Sequence, residues 1–269
     1  MAVLWRSTCD GVTYEVRQAG ASRRLYSNGV FHSQWNADRA LAGSLWDLLI
    51  IPGFLLGSRA TLNILVLGVG GGAVIRQAMH LLPVGSVTGI ELDPVHIGVA
   101  NRWFGLDRET RVNLVCADAR QWLEANPGRR FDLVVDDLFG HFSDDVERSV
   151  DLNAAWAKRL LSVARKDAVI VVNTPGDRSA TTAFQRLLLS AACTKQSGKK
   201  SRRSVAGYTL SHPGYDNKIM VLQRDADTTL RYWRKSWLAS MQDSGMNVQQ
   251  LAVAAEHLAR TQRWFSAGR

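Results

Sequence analysis

Cysteine is scarce in this chain. Cys9, Cys116 and Cys193 are the only three among 269 residues. They are scattered and form no CxxC pair, which supports neither a disulfide framework nor a zinc site. A reducing, cytoplasmic setting is expected. Metal-ligand spacings of the HxxxH kind are missing too, so no metal is expected. Long apolar runs are also missing. The longest, around Leu45 to Leu56, is interrupted by Asp47, Pro52 and Gly53 and is too short for a bilayer. The segment MAVLWRSTCD lacks a basic n-region followed by an apolar stretch, so no signal peptide is expected. No internal repeat is visible. What is present is a hydrophobic fraction of 46% against 21% charged residues, the balance of a folded α/β chain with a sizeable core.

The formal charge is +9, a sign that attracts nucleic acid, membrane or acidic protein. The densest basic run is KQSGKKSRR, from Lys195 to Arg203. It carries no interleaved aromatic residue for base stacking. A solvated loop is the favoured reading, with nucleic acid or an acidic partner as the alternative.

Residues 12–18 (VTYEVRQ) alternate, and residues 23–32 contain the hairpin signal Asn28-Gly29. Residues 1–36 therefore read as a small antiparallel β unit. Residues 38–49 have helical spacing, which Pro52-Gly53 ends. Strands at 64–67, 86–91, 112–116, 131–136 and 168–173 then alternate with helices at 73–82, 94–104, 119–125, 152–164 and 179–192. This order predicts an α/β fold, a doubly wound and mainly parallel Rossmann-like sheet. Strands at 204–210 and 218–223 supply an antiparallel edge and bring the sheet to seven. Residues 228–265 read as helical, with Trp233, Trp237 and Trp264 as packing anchors. The expected division is 1–36, 37–225 and 226–269.

Four features bear on chemistry. GVGGGA, from Gly68 to Ala73, lies between a strand and a helix, where glycines Gly68, Gly70, Gly71 and Gly72 permit a tight turn and close ligand approach. The motif also satisfies the dinucleotide fingerprint. Glu91 in GIELDP ends the second strand and can accept ribose hydroxyls, while Asp93 suits a helix cap. Asp118 ends the third strand, beside Ala119. It can accept from an adenine amino group, cap the following helix, or do both. Asp136 and Asp137 follow FDLVV at the fourth strand end, where acids can position an amine or take its proton; a loop cap is the plain alternative. Asp136 is also assigned to the cofactor edge.

Taken together, VLGVGGGAVIRQ, GIELDP, ANRWFGL, RVNLVCADARQWL and FDLVVDD resemble the S-adenosylmethionine-dependent methyltransferase superfamily, in its spermidine-synthase-like branch. LYSNGVFHSQ resembles the small N-terminal β unit of polyamine synthases. The run from Gly68 to Asp118, including RWFG, resembles the second methyltransferase domain of the eukaryotic elongation-factor-1-alpha dual methyltransferases. The resemblance implies S-adenosylmethionine as cofactor, Glu91 and Asp118 on its nucleoside, and an amine acceptor on a small molecule or a protein.

The chain departs from aminopropyltransferases. Their GGGDGG loop has its acid where Gly71 stands here. Their DSSDP gate corresponds to DDLFG, and His32 and Leu41 stand where their N-terminal glutamine and tyrosine would be. Methyl transfer is therefore expected, with intact S-adenosylmethionine preferred over its decarboxylated form. His32 and Tyr26 are candidate acceptor contacts, and His141 is a candidate catalytic residue alongside Asp136 and Asp137. Aminopropyl transfer with an altered acceptor site, a non-catalytic nucleotide-binding scaffold and, more distantly, a nicotinamide oxidoreductase are the alternatives. Homodimerisation is left open.

Overall fold

The computed structural model describes residues 1–57, 59–142, 145–193 and 205–224. Towards the C-terminus it describes 235, 237–239, 241–242, 252–255 and 262–264. For 141–142, 145–146 and 263 only the backbone is described. The basic run from Lys195 to Arg203 and Trp233 lie outside the described residues.

The chain opens with four antiparallel strands, β1 (Ala2–Cys9), β2 (Val12–Ala19), β3 (Ser22–Ser27) and β4 (Val30–Asn36), in the order β1-β2-β3-β4. Two of the turns share one chemistry. Asp10-Gly11 has φ of 49° and 79°, and Asn28-Gly29 has 48° and 82°. These are the positive angles that Asn-Gly and Asp-Gly hairpin turns favour. The sequence pattern had marked Asn28-Gly29 but not β1, whose residues are mostly exposed and so show no apolar alternation.

The next helix begins later than its spacing predicted. It is α1 (Leu45–Ile50), followed by a 3-10 turn, Ile51–Leu56. Asp47 explains the start. Its carboxylate accepts from the backbone N–H groups of Gly43 and Ser44 at 2.7 and 3.2 Å and from Ser44 Oγ at 3.1 Å. That reciprocal cap ties off the helix at Ser44.

Strands and helices then alternate: β5 (Leu62–Leu67), α2 (Ala73–Leu81), β6 (Val84–Glu91), α3 (Pro94–Phe104), β7 (Val112–Cys116), α4 (Ala119–Ala125) and β8 (Phe131–Asp136). A hairpin of β9 (Phe139–Phe142) and β10 (Asp145–Arg148) follows, then α5 (Ala154–Val163), β11 (Ala164–Thr174), α6 (Arg178–Ala192), β12 (Val205–Ser211), β13 (Lys218–Arg224) and the two-residue β14 (Gln262–Arg263). The large sheet runs β14-β12-β13-β11-β8-β5-β6-β7. Its seven principal strands are parallel except at β13, which is antiparallel to both neighbours. β14 adds antiparallel to β12, so residues 262–263 are strand where the sequence had suggested helix. Among the described residues no helix is long and apolar enough to cross a membrane.

Both faces of this sheet are covered, which is why its central strands are continuous apolar runs. Ile64, Val66, Leu133, Val135, Val169 and Val171 join the core on the α1 side. Leu65, Leu67, Val134, Ile170 and Val172 alternate to the opposite core with Trp156 and Phe184. The N-terminal sheet packs Val16, Leu25 and Trp35 against Val99 and Phe104 of α3. Trp237 and Trp264 are buried anchors: the Trp237 indole donates to Ile51 O at 2.6 Å, and the Trp264 indole to Thr209 Oγ1 at 2.7 Å.

Candidate active site

The C-terminal ends of β5, β6, β7 and β8 lie side by side, the edge where open α/β sheets bind ligands. After β5 the chain turns at Gly68, whose φ is +84°. A Cβ there would lie 2.2 Å from Asp137 O, so the position admits only glycine. Gly70 and Gly72 also have positive φ. Gly71 does not, but a Cβ on it would meet the Phe104 ring at 2.7 and 2.9 Å and Ser33 Cβ at 3.0 Å. Ser33 Oγ further accepts from Ala73 N at 3.4 Å, at the start of α2. The N-terminal sheet thus forms one wall of the glycine loop.

Glu91 is buried at the end of β6. Its Oε2 accepts from the backbone N–H groups of Val69 at 2.9 Å and Gly70 at 2.8 Å, and its Oε1 accepts from Asp93 N at 3.0 Å. Asp93 caps α3 through Val95 N and receives the Tyr14 hydroxyl at 2.7 Å. Burial, ahead of that bond, pushes the Tyr14 phenol well above its usual range.

Asp118 caps α4, accepting from Arg120 N at 2.7 Å and Gln121 N at 3.4 Å. The Arg120 guanidinium also pairs with it at 2.6 Å. That side-chain bond, with the two backbone bonds opposing burial, holds the carboxyl at about 2. Ala119 is buried at the first position of α4, where a helix N–H has no intrahelical acceptor. Leu92, 65% exposed, follows Glu91 directly. The Cys116 thiol donates to its carbonyl at 3.6 Å.

The two adjacent acids after β8 differ sharply. Asp136 is fully buried. Its Oδ2 accepts from Arg148 Nη2 at 2.6 Å and from the Trp156 indole at 2.7 Å, while Oδ1 is buried with no hydrogen-bond partner among the described residues. Asp137 is half-buried. Its Oδ1 accepts from Asn173 Nδ2 at 2.7 Å, and Asn173 is itself held by Asn217 at 3.0 Å. Burial pushes the Asp137 carboxyl up to about 6; the Asn173 bond and Arg148 work against the rise, and Asp136 and Glu91 add to it. Its second oxygen has no hydrogen bond among the described residues.

The remaining candidates are dispersed. Tyr26 stacks on Phe31 with centroids 5.2 Å apart, and the Arg17 guanidinium lies 4.3 Å from its ring centroid. His32 lies beside the glycine loop: its carbonyl would be 3.5 Å from a Cβ on Gly70, and its ring is 5.2 Å from that of His96. His141 is in β9, and its side chain lies outside the described residues. Among the described residues no three His, Cys, Asp or Glu side chains gather to hold a metal ion. Sequence reasoning missed Arg148, Trp156, His96, Asn173 and Asn217. Only Asn173 had a local signal, since it is the first polar residue after the apolar run of β11.

This donor set fits a nucleoside. Asp118 and Ala119 follow the end of β7, Glu91 ends the neighbouring β6 with the exposed Leu92 after it, and Glu91 Oε1 carries one hydrogen bond among the described residues.

Residues 64–159 match the family model described as Methyltransferase domain. The zebrafish (Danio rerio) eEF1A lysine and N-terminal methyltransferase is 32% identical over 79 residues, 28% of this chain and 11% of that protein. The matched stretch thus spans about a tenth of the relative's length. A spermidine synthase in complex with the transition-state analogue AdoDATO superposes with a TM-score of 0.65 at 13% identity, over 96% of this chain and 85% of that one. Human Methyltransferase-like protein 13 in complex with SAH gives 0.53 at 19% identity, over 77% and 90%. Residues 64–159 are thus similar to a methyltransferase domain, and the chain as a whole shares its fold with a spermidine synthase and with Methyltransferase-like protein 13.

Proposed function

We propose that the protein is an S-adenosylmethionine-dependent methyltransferase acting on an amine of a protein or a small molecule, with Asp137 handling the acceptor. The reading rests on the difference between the neighbouring acids. Asp136 is committed to Arg148 and Trp156 and serves to tie the β9–β10 hairpin to the sheet. Asp137 stands at the same edge with one oxygen oriented by Asn173 and the other open.

When bound, S-adenosylmethionine supplies a methyl group on an already activated sulfonium. An amine needs only a free lone pair and an in-line approach, and holding it there supplies much of the rate. A carboxyl at about 6 is mostly ionised at neutral pH. It can therefore attract an ammonium, accept its proton and leave the nitrogen neutral. Glu91 and Asp118 hold ribose and adenine, and Ala119 N–H meets an adenine ring nitrogen. Gly68, Gly70, Gly71 and Gly72 let the backbone approach. Arg120 must yield part of Asp118 to the adenine amino group.

The zebrafish relative's name specifies lysine and N-terminal methylation of eEF1A, which supports an amine acceptor. The test is calorimetric titration with S-adenosylhomocysteine. Saturable binding is expected, weakened at least about tenfold by Glu91→Ala, because charge-assisted bonds contribute roughly 1.5–3 kcal/mol each. Unchanged affinity in that variant would remove the nucleoside assignment.

A further inference from the structure

A carboxylate has about four acceptor directions. Glu91 has three of them filled, by Val69 N and Gly70 N on Oε2 and by Asp93 N on Oε1. One direction remains, on Oε1. A ribose presents two adjacent hydroxyls, so Glu91 alone can accept only one of them.

The group beside that oxygen is His96, on the first turn of α3. Its Nδ1 lies 4.0 Å from Glu91 Oε1 and holds no hydrogen bond among the described residues. The oxygens of a vicinal diol are closer together than this, so one diol can engage both atoms. The His96 side chain is 11% exposed and is fixed from the other side. Its Nε2 is 3.0 Å from Ser27 Oγ. The Tyr14 ring meets it edge-on at 5.7 Å, and the His32 ring lies at 5.2 Å. Tyr14 and Ser27 are register partners in β2 and β3, and they engage consecutive features of one helix start, Asp93 and His96. Either tautomer serves. If Ser27 donates to Nε2, Nδ1 carries the proton and donates to a hydroxyl oxygen. If Ser27 accepts, Nδ1 accepts from the hydroxyl.

We propose that His96 is a ribose-binding residue, its Nδ1 sharing the diol with Glu91 Oε1, and that Ser27 of the N-terminal sheet is the positioning residue that sets the imidazole. The proposal rests on the nucleoside reading above. It also gives the small sheet a direct part in cofactor recognition.

The test is calorimetry with S-adenosylhomocysteine and with 5′-methylthioadenosine in its intact, 2′-deoxy and 3′-deoxy forms. His96→Phe keeps the ring volume and should weaken S-adenosylhomocysteine binding about fivefold to tenfold, the size of one hydrogen bond. His96→Gln, which keeps a donor and an acceptor, should recover most of the loss. Ser27→Ala should weaken binding less, and Ser27→Thr should restore it. One of the two deoxy ligands should bind wild type more weakly than the intact one, yet bind His96→Phe equally well, the signature of a coupled pair. Wild-type affinity in His96→Phe, or penalties for both deoxygenations that survive in it, would overturn the proposal. No binding of S-adenosylhomocysteine by the wild type would instead overturn the nucleoside reading beneath it.

Discussion

Arg148 donates through Nη2 to Asp136 Oδ2 at 2.6 Å, and both side chains are almost entirely buried. The same guanidinium donates to the carbonyls of Val150 and Asn173 at 3.0 and 2.7 Å. It thereby joins the hairpin base to the ends of β8 and β11. Breaking a buried pair leaves one charge uncompensated and costs about 3–5 kcal/mol. Arg148→Met should lower unfolding free energy by that order in urea titration. A loss below about 1 kcal/mol would mean that Asp136 is not held as described.

Asp137 should show its environment in two pH profiles. A base must be ionised, so kcat/KM should rise through about pH 6 and level off above it. Stability should run the other way. The folded pKa lies above the unfolded value of about 3.9, so the native state binds the proton more tightly. Stability therefore falls as pH rises from about 4 to about 6, by roughly 2–3 kcal/mol. Asp137→Asn should abolish turnover, keep S-adenosylhomocysteine binding and flatten that part of the stability profile. An Asp137→Asn enzyme with wild-type turnover would remove Asp137 from the acceptor site.

How much of this was legible in the sequence depends on how local each signal is. The glycine loop, Glu91 and Asp118 could be read because each follows its own apolar strand. The choice between Asp136 and Asp137 could not. Adjacent residues leaving a strand point to opposite sides, and the side that is buried is fixed by Arg148 and Trp156, 12 and 20 residues further on. His96 is similar: nothing near it in sequence announces Ser27 or Tyr14, 69 and about 80 positions away. The overlong helix at 38–49 came from apolar spacing that ignored the Asp47 cap. The β9–β10 hairpin was missed because FGHF and DVER carry no apolar alternation.

At Gly71, where aminopropyltransferases carry an acid, the packing leaves no room for a side chain. Gly71→Asp would drive its Cβ into Phe104 and Ser33, so it cannot probe donor choice by itself. Gly71→Ala should already cost about 1–3 kcal/mol, as overpacking does. Phe104→Leu in the same chain should recover part of it. Thermal or urea unfolding of the single and double variants checks this; full stability of Gly71→Ala would mean that the loop has more room than described.

Polyamines should bind poorly. Spaced ammonium groups need spaced anions to replace their hydration. Arg148 neutralises Asp136, which leaves Asp137, among the described residues after β8, as the acid with an open oxygen. Calorimetry with putrescine and spermidine should show no binding below about the millimolar range. Micromolar affinity for either would restore aminopropyl transfer as the leading reaction.

The most direct test of the methyltransferase reading is the choice between donors. S-adenosylmethionine and its decarboxylated form differ by one carboxylate. The glycine loop has no acid at Gly71 to repel it, and the N-terminal turn of α2 presents N–H groups and positive partial charge. Competitive calorimetry on the wild type should therefore find intact S-adenosylmethionine bound more tightly, by about a hundredfold. Tighter binding of the decarboxylated donor, or binding of neither, would contradict the assignment.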